Sequence, residues 1–156
     1  VAEVLQRIYG NKYAQDEIAV CAAACDGVVG VAQGMLEGGG YKTLLADAFL
    51  LALSTADKLP SVVKRVGETK QKRQLLSLLR ILYRDALLVK TGQRKHVLLQ
   101  SEKENLEMLA QKRSVAALLY AQEKLTDAER EVAFNAVFPQ CIETFAAAVL
   151  AHNEKL

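Results

Sequence analysis

The sequence predicts an all-α protein, and three observations carry that prediction. Only two prolines, Pro60 and Pro139, occur in 156 residues. No segment alternates apolar and polar residues as a half-buried strand requires. Glycine, proline and helix-capping residues cut the chain into about eight stretches in which apolar residues recur three and four apart. The composition agrees with a packed core: 51% of residues are hydrophobic, 24% are charged, and the mean hydropathy is +0.09. A disordered chain lacks that apolar mass.

The elements follow in order. Residues 1–9 form a first helix with Val4, Leu5 and Ile8 apolar, stopped by Gly10-Asn11. Residues 15–24 form a second, carrying Ile18, Val20, Cys21 and Cys25 at helical spacing, and Asp26-Gly27 turns the chain, with Gly27 suited to a left-handed residue after a helix. A third spans 28–36. Glu37-Gly38-Gly39-Gly40 follows, and three consecutive glycines are the most flexible point of the chain. They read as a domain boundary, or alternatively as a glycine turn between packed helices of one domain. Beyond them come a helix over 42–58 and another over 61–66, with Pro60 at its first position.

The longest predicted helix covers 69–90. Leu75, Leu79, Leu82, Ala86 and Val89 make its buried stripe, and Arg73, Ser77, Arg80 and Arg84 the opposite polar one. Thr91-Gly92 stops it, and 93–100 is a connector with an extended apolar end, Val97-Leu98-Leu99. Ser101 and Glu104 have capping-box spacing for a helix to Gln111. Ser114 opens a helix over 115–125, Thr126-Asp127 with Glu129 opens another through Phe138, and Pro139 starts the last. Short polar breaks between these later helices predict antiparallel neighbours in a bundle.

Charge and cysteine usage narrow the setting. Against 18 Asp and Glu stand 20 Lys and Arg, a net charge of +2, which is no electrostatic signature of a nucleic-acid binder. The longest apolar runs fall well short of the ~20 residues of a membrane span. Cys21, Cys25 and Cys141 read as small buried thiols, because zinc needs about four ligands and His96 and His152 lie far away. A reducing, cytoplasmic compartment is the expectation, with no signal peptide in the first residues. A first residue that is Val, within a helical pattern, is expected of a piece of a longer protein.

No phosphate-cradling Gly-x-x-x-x-Gly-Lys-Ser/Thr loop occurs. Gly27-Val28-Val29-Gly30 reads as a tight turn with close helix packing. Two histidines offer little for a nucleophile–base pair, and Glu102, Glu104 and Glu107 read as caps and a solvated face. Asp47 and Asp85 each interrupt a strongly apolar helix, so each is expected to find a hydrogen bond or ion pair with a neighbouring helix. The clusters Lys70-Gln71-Lys72-Arg73 and Arg94-Lys95-His96 read as solvated faces able to touch phosphate. No catalytic, cofactor or metal residue is expected, and chemistry alone describes a helical binding or assembly module.

Leu75 through Gly92, then Val97-Leu98-Leu99, resembles the long helix in the C-terminal domain of bacterial DNA polymerase III clamp-loader subunits, the delta-prime kind above all. Tyr83-Arg84-Asp85-Ala86-Leu87-Leu88 matches the family's aromatic-Arg-Asp-apolar-Leu segment. Phe134-Asn135-Ala136-Val137-Phe138-Pro139 is similar to its lead into the last helix, and Gly27 to Ala32 with Leu36 looks like the turn and helix of a AAA+ lid. The resemblance covers nearly the whole chain, and it rests on the order of several weak motifs. It implies a three-helix AAA+ lid remnant over 1–39, with Gly27 and Gly30 structural, and a helical collar domain over 40–156. Gly30 stands where ATP-binding subunits carry a sensor arginine, which favours the delta-prime kind, whose nucleotide site does not work.

The implied function is assembly of the clamp loader in DNA replication. The partners would be the delta and tau/gamma motor subunits, bound through the collar. The sliding clamp and primer-template DNA would be met only by the whole complex. This chain would bind no cofactor and catalyse nothing, although the whole protein would be a subunit of the DNA-directed DNA polymerase (nucleotidyltransferase) holoenzyme. Arg73, Arg80, Arg84, Leu76 and Leu87 are the candidate subunit interface: leucines off the main stripe, Leu76, Leu78, Leu87 and Leu88, either leave apolar surface to spare or face other helices of the same domain. Asp85 is expected to be structural. The alternative is a stand-alone helical regulator that binds nucleic acid or a small ligand.

Overall fold

The computed structural model describes residues 1–37 and 40–154, and every regular element among them is helical. The helices are α1 (Ala2–Tyr9), α2 (Gln15–Ala24), α3 (Val29–Glu37), α4 (Gly40–Ala52), α5 (Leu59–Val66), α6 (Lys72–Lys90), α7 (Lys103–Lys112), α8 (Val115–Ala133) and α9 (Phe138–Glu154). None of these is long and apolar enough to cross a membrane.

The α6 helix is the axis of the molecule. It packs against α4, α7 and α8, α9 lies along α8 and α5, and α1, α2 and α3 pack on one another. This N-terminal trio meets the remainder chiefly through α3 against α4 and α2 against α6. One continuous buried cluster nevertheless runs from Leu5 to Val149. The α6 helix earns its central place by having apolar residues on more than one stripe: Leu75, Leu76, Leu78, Leu79, Leu82 and Ala86 are all buried, and each leucine so placed contributes roughly 1.5–3 kcal/mol. Tyr83 joins α6 to α9 by an edge-to-face contact with Phe145, ring centres 5.8 Å apart.

That burial decides between the two readings of the off-stripe leucines, against spare apolar surface. Leu76 and Leu78 are consumed by the internal core, and Leu87 and Leu88 are partly buried against it, so α6 has little apolar surface to spare. A helix packed on several sides buries more than one stripe.

Several boundaries differ from the sequence reading, each for a local reason. No break occurs at Thr126. Its hydroxyl turns back onto the Gln122 carbonyl at 3.4 Å, and Leu125 and Ala128 continue the buried stripe, so α8 is one helix. The break comes at Asn135, whose φ is 60°. There the Asn135 N–H reaches Val132 O and the Ala136 N–H reaches Glu131 O, at 3.1 and 3.0 Å, the paired bonds of a left-handed helix stop. Gly92, at φ 80°, ends α6 in the same way, with Gln93 N–H on Leu88 O at 2.8 Å.

The α4 helix stops at Ala52 rather than Lys58, because the Ser54 hydroxyl donates to Leu51 O and the chain turns. Pro60 is the second residue of α5, not the first. Thr69 lies ahead of α6, accepting from Gln71 N–H. Ser101 caps nothing; a 3-10 turn over Gln100–Glu102 leads into α7. Ser114 does cap α8, accepting from Ala117 N–H at 3.1 Å. Gly40 is the first residue of α4 rather than part of a linker, and Gly38, Gly39 and Leu156 of the expected domain limits lie outside the described residues.

Two close approaches fix the bundle's ends. A Cβ on Gly67, after α5, would stand 2.9 Å from the Pro139 ring, so glycine lets α5 close on the start of α9. Asn153, near the end of α9, accepts from Ser114 N–H at 2.7 Å and donates to Lys112 O at 3.2 Å. One side chain thus ties α9 to the α7–α8 corner.

Candidate functional site

The α6 helix places the sequence-selected residues on different sides of the molecule, with different duties. Asp85 is fully buried and accepts backbone N–H bonds from Leu98 and Leu99 at 3.1 and 2.9 Å. Its other oxygen takes the Arg84 guanidinium at 3.1 Å. The donors come from the connector after α6 and from the adjacent residue, not from neighbouring helices as expected. Burial pushes the Asp85 carboxyl up, and the two amides and Arg84 oppose that shift. Asp85 is therefore a strap that fastens the connector down on α6. Asp47 has the expected ion pair, with Arg65 of α5 at 3.6 Å.

The candidate interface divides. Arg84 is about half exposed beyond its contact with Asp85. Leu87 is half-buried on the core, and Leu76 is buried and offers no surface to a partner. Arg80 is committed internally: it donates to Glu129 Oε1, Gln122 Oε1 and Thr126 Oγ1, each at 3.1 Å. Gln122 returns a bond to the Arg80 carbonyl at 3.1 Å. This network rivets α6 to α8. Arg73 is exposed and, with Arg80 and Leu76, lines a cleft of about 410 Å3 where the end of α2 meets α6 and α8. Gly27 has the expected left-handed backbone, φ 79°. Gly30 does not have the expected close packing, since a Cβ there would meet nothing within 4 Å.

Sequence reasoning missed Arg113. It is buried, and Nη2 donates to Ala52 O and Ser54 O at 3.0 and 3.1 Å. The guanidinium thereby satisfies the carbonyls at the C-terminal end of α4, where helix-dipole charge favours a cation. Burial holds its pKa below the usual arginine range. Also missed were Phe134 and Val137 of the α8–α9 turn, which stand 81% and 60% exposed. Their signal was a pair of large apolar residues around Asn135, off either helix's buried stripe.

Cys21, Cys25 and Cys141 are buried free thiols. Desolvation, with Glu17 second, pushes Cys21 up to about 12, so it is a poor nucleophile. Among the described residues no three His, Cys, Asp or Glu side chains gather as a metal would need. Of the groups that converge around the α6–α8 cleft, Arg73 is exposed and Arg80 is held by α8.

Comparison of the chain with protein-family models, with curated proteins and with solved structures finds no match.

Proposed function

We propose that this chain is a non-catalytic assembly module, the C-terminal part of a clamp-loader subunit of the delta-prime kind, with a lid remnant over 1–39 and a collar over 40–156. What supports the reading is the link made by Asp85. The resemblance rests on two separated pieces, the Tyr83-Arg84-Asp85 segment and Val97-Leu98-Leu99, and Asp85 joins them through the Leu98 and Leu99 amides. The motif then has a physical meaning: it holds the long helix and its connector in one rigid piece. The mutual packing of α1, α2 and α3 also accords with a lid unit ahead of a collar.

On this reading Arg73, Arg84 and Leu87 remain available for contact with the delta and motor subunits, while Arg80 and Leu76 serve the domain itself. The coding sequence upstream of Val1 tests the proposal directly. A AAA+ core in frame supports it, and a start codon or an unrelated domain there overturns it. Calorimetry of the chain with magnesium ATP should register no binding, and micromolar affinity would count against the delta-prime assignment.

A further inference from the structure

Two depressions run along the groove between the first half of α6 and the last half of α8, and Arg73 lines both. The inner one, of about 410 Å3, has Leu76 and Ile81 on its α6 side, and Asp26 and Glu129 among its polar groups. The outer one, of about 370 Å3, lies between Lys70, Lys72 and Arg73 at the start of α6 and Asn135 in the α8–α9 turn. Among the described residues none of these three cations has an ion-pair partner, whereas Arg80, deeper in, is neutralised by Glu129. No side chain caps the N-terminus of α6, so its partial positive charge adds to theirs. Beside Asn135 stand the exposed Phe134 and Val137. Lys72 lies over the Phe138 ring at 5.9 Å, which leaves it without a carboxylate like its two neighbours. Large apolar side chains held in water by a defined helix stop, near cations with no carboxylate partner, are the makings of a contact surface.

We propose that the outer end of this groove, with the adjoining α8–α9 turn, binds an acidic peptide segment of a partner protein, its carboxylates on Lys70, Lys72 and Arg73 and a large apolar side chain against Phe134 and Val137 beyond the groove's edge. Arg73 can take a carboxylate with two parallel N–H bonds, and the lysines add point charge. The groove's polarity favours a peptide over a polynucleotide. A nucleic-acid strand needs cations along its whole path, yet here they are confined to one end and the inner depression carries Asp26 and Glu129. An acidic run fits the cationic outer end, and apolar residues after it fit the exposed Phe134 and Val137 of the adjoining turn. The inference goes beyond the assembly reading and does not depend on it.

Panning the purified chain against a random peptide library tests the proposal, with affinities then measured by fluorescence anisotropy on a labelled synthetic copy of the best sequence. The selected peptides should share clustered Asp or Glu beside an aromatic or aliphatic residue, and their binding should weaken as salt rises. Arg73→Glu should weaken binding roughly tenfold or more, about 1.4 kcal/mol for each factor of ten, and Phe134→Ala severalfold. Both side chains are exposed, so the melting temperature should not move. A library that yields nothing, or acid-free peptides, or peptides indifferent to Arg73→Glu, overturns the proposal. So does an oligothymidylate that binds as tightly as the best peptide and is lost in the same variants. Failure to join a clamp loader would leave this result standing, so the two readings fail separately.

Discussion

Asp85 carries two backbone amides that have no other partner among the described residues, so its removal should be felt directly. Asp85→Ala leaves the buried Leu99 N–H and the half-buried Leu98 N–H unpaired and should cost about 1–3 kcal/mol, read from denaturant melts. Asp85→Asn keeps an acceptor oxygen and should lose less. The raised carboxyl also sets a sign for pH. The folded chain holds that proton to higher pH than the unfolded one, so the group's contribution is fullest below the ordinary carboxylate pKa and is drawn down as pH rises through the folded value. The parent should therefore gain on Asp85→Asn as pH falls through that window, and a difference independent of pH would contradict the shift. Arg113→Ala should cost about 2–3 kcal/mol, because the carbonyls of Ala52 and Ser54 lose a charged donor. Asp85 was legible in the sequence because a carboxylate on an apolar face must be paired. Arg113 was not: an arginine beside a helix start looks solvated, and its partners are main-chain atoms some sixty residues earlier.

Helices were legible as elements, and their ends only where a side chain acts locally. Ser114 announced α8 because its hydroxyl reaches the backbone three residues on. Thr126 misled because the same kind of hydroxyl also bonds backward inside a helix, and because Arg80, distant in sequence, occupies it as a donor. Asn135 makes the true stop, and its left-handed backbone yields a test. Asn135→Gly should keep or slightly raise stability, whereas Asn135→Val should lower it by roughly 1–2 kcal/mol, the cost of a branched residue at positive φ. Equal melting temperatures for the two variants would mean that the α8–α9 turn does not depend on this conformation. The α6 leucines were legible as apolar but not as fully buried, since which stripes are covered depends on how many helices surround α6. The same limit hid the outer groove: Lys70, Lys72 and Arg73 appeared as a run, but their proximity to Asn135 comes from α6 and α8 lying side by side.

The whole molecule reads as three helices joined to six by α3 against α4 and α2 against α6, over one shared core. If the first three form a separate lid unit, cleavage between Glu37 and Gly40 should release residues 40–156 as a piece that still melts cooperatively, at a lower temperature for want of α2 on α6. A piece that unfolds outright would make the nine helices one cooperative unit. The proposed assembly through a collar is best checked by size-exclusion chromatography with light scattering on the chain mixed with the delta and motor subunits of its own source. The chain should elute within the complex, and Arg84→Ala should weaken this co-elution at unchanged melting temperature while Asp85→Ala lowers the melting temperature. A chain that elutes alone, at its own mass, at every concentration tried would contradict it.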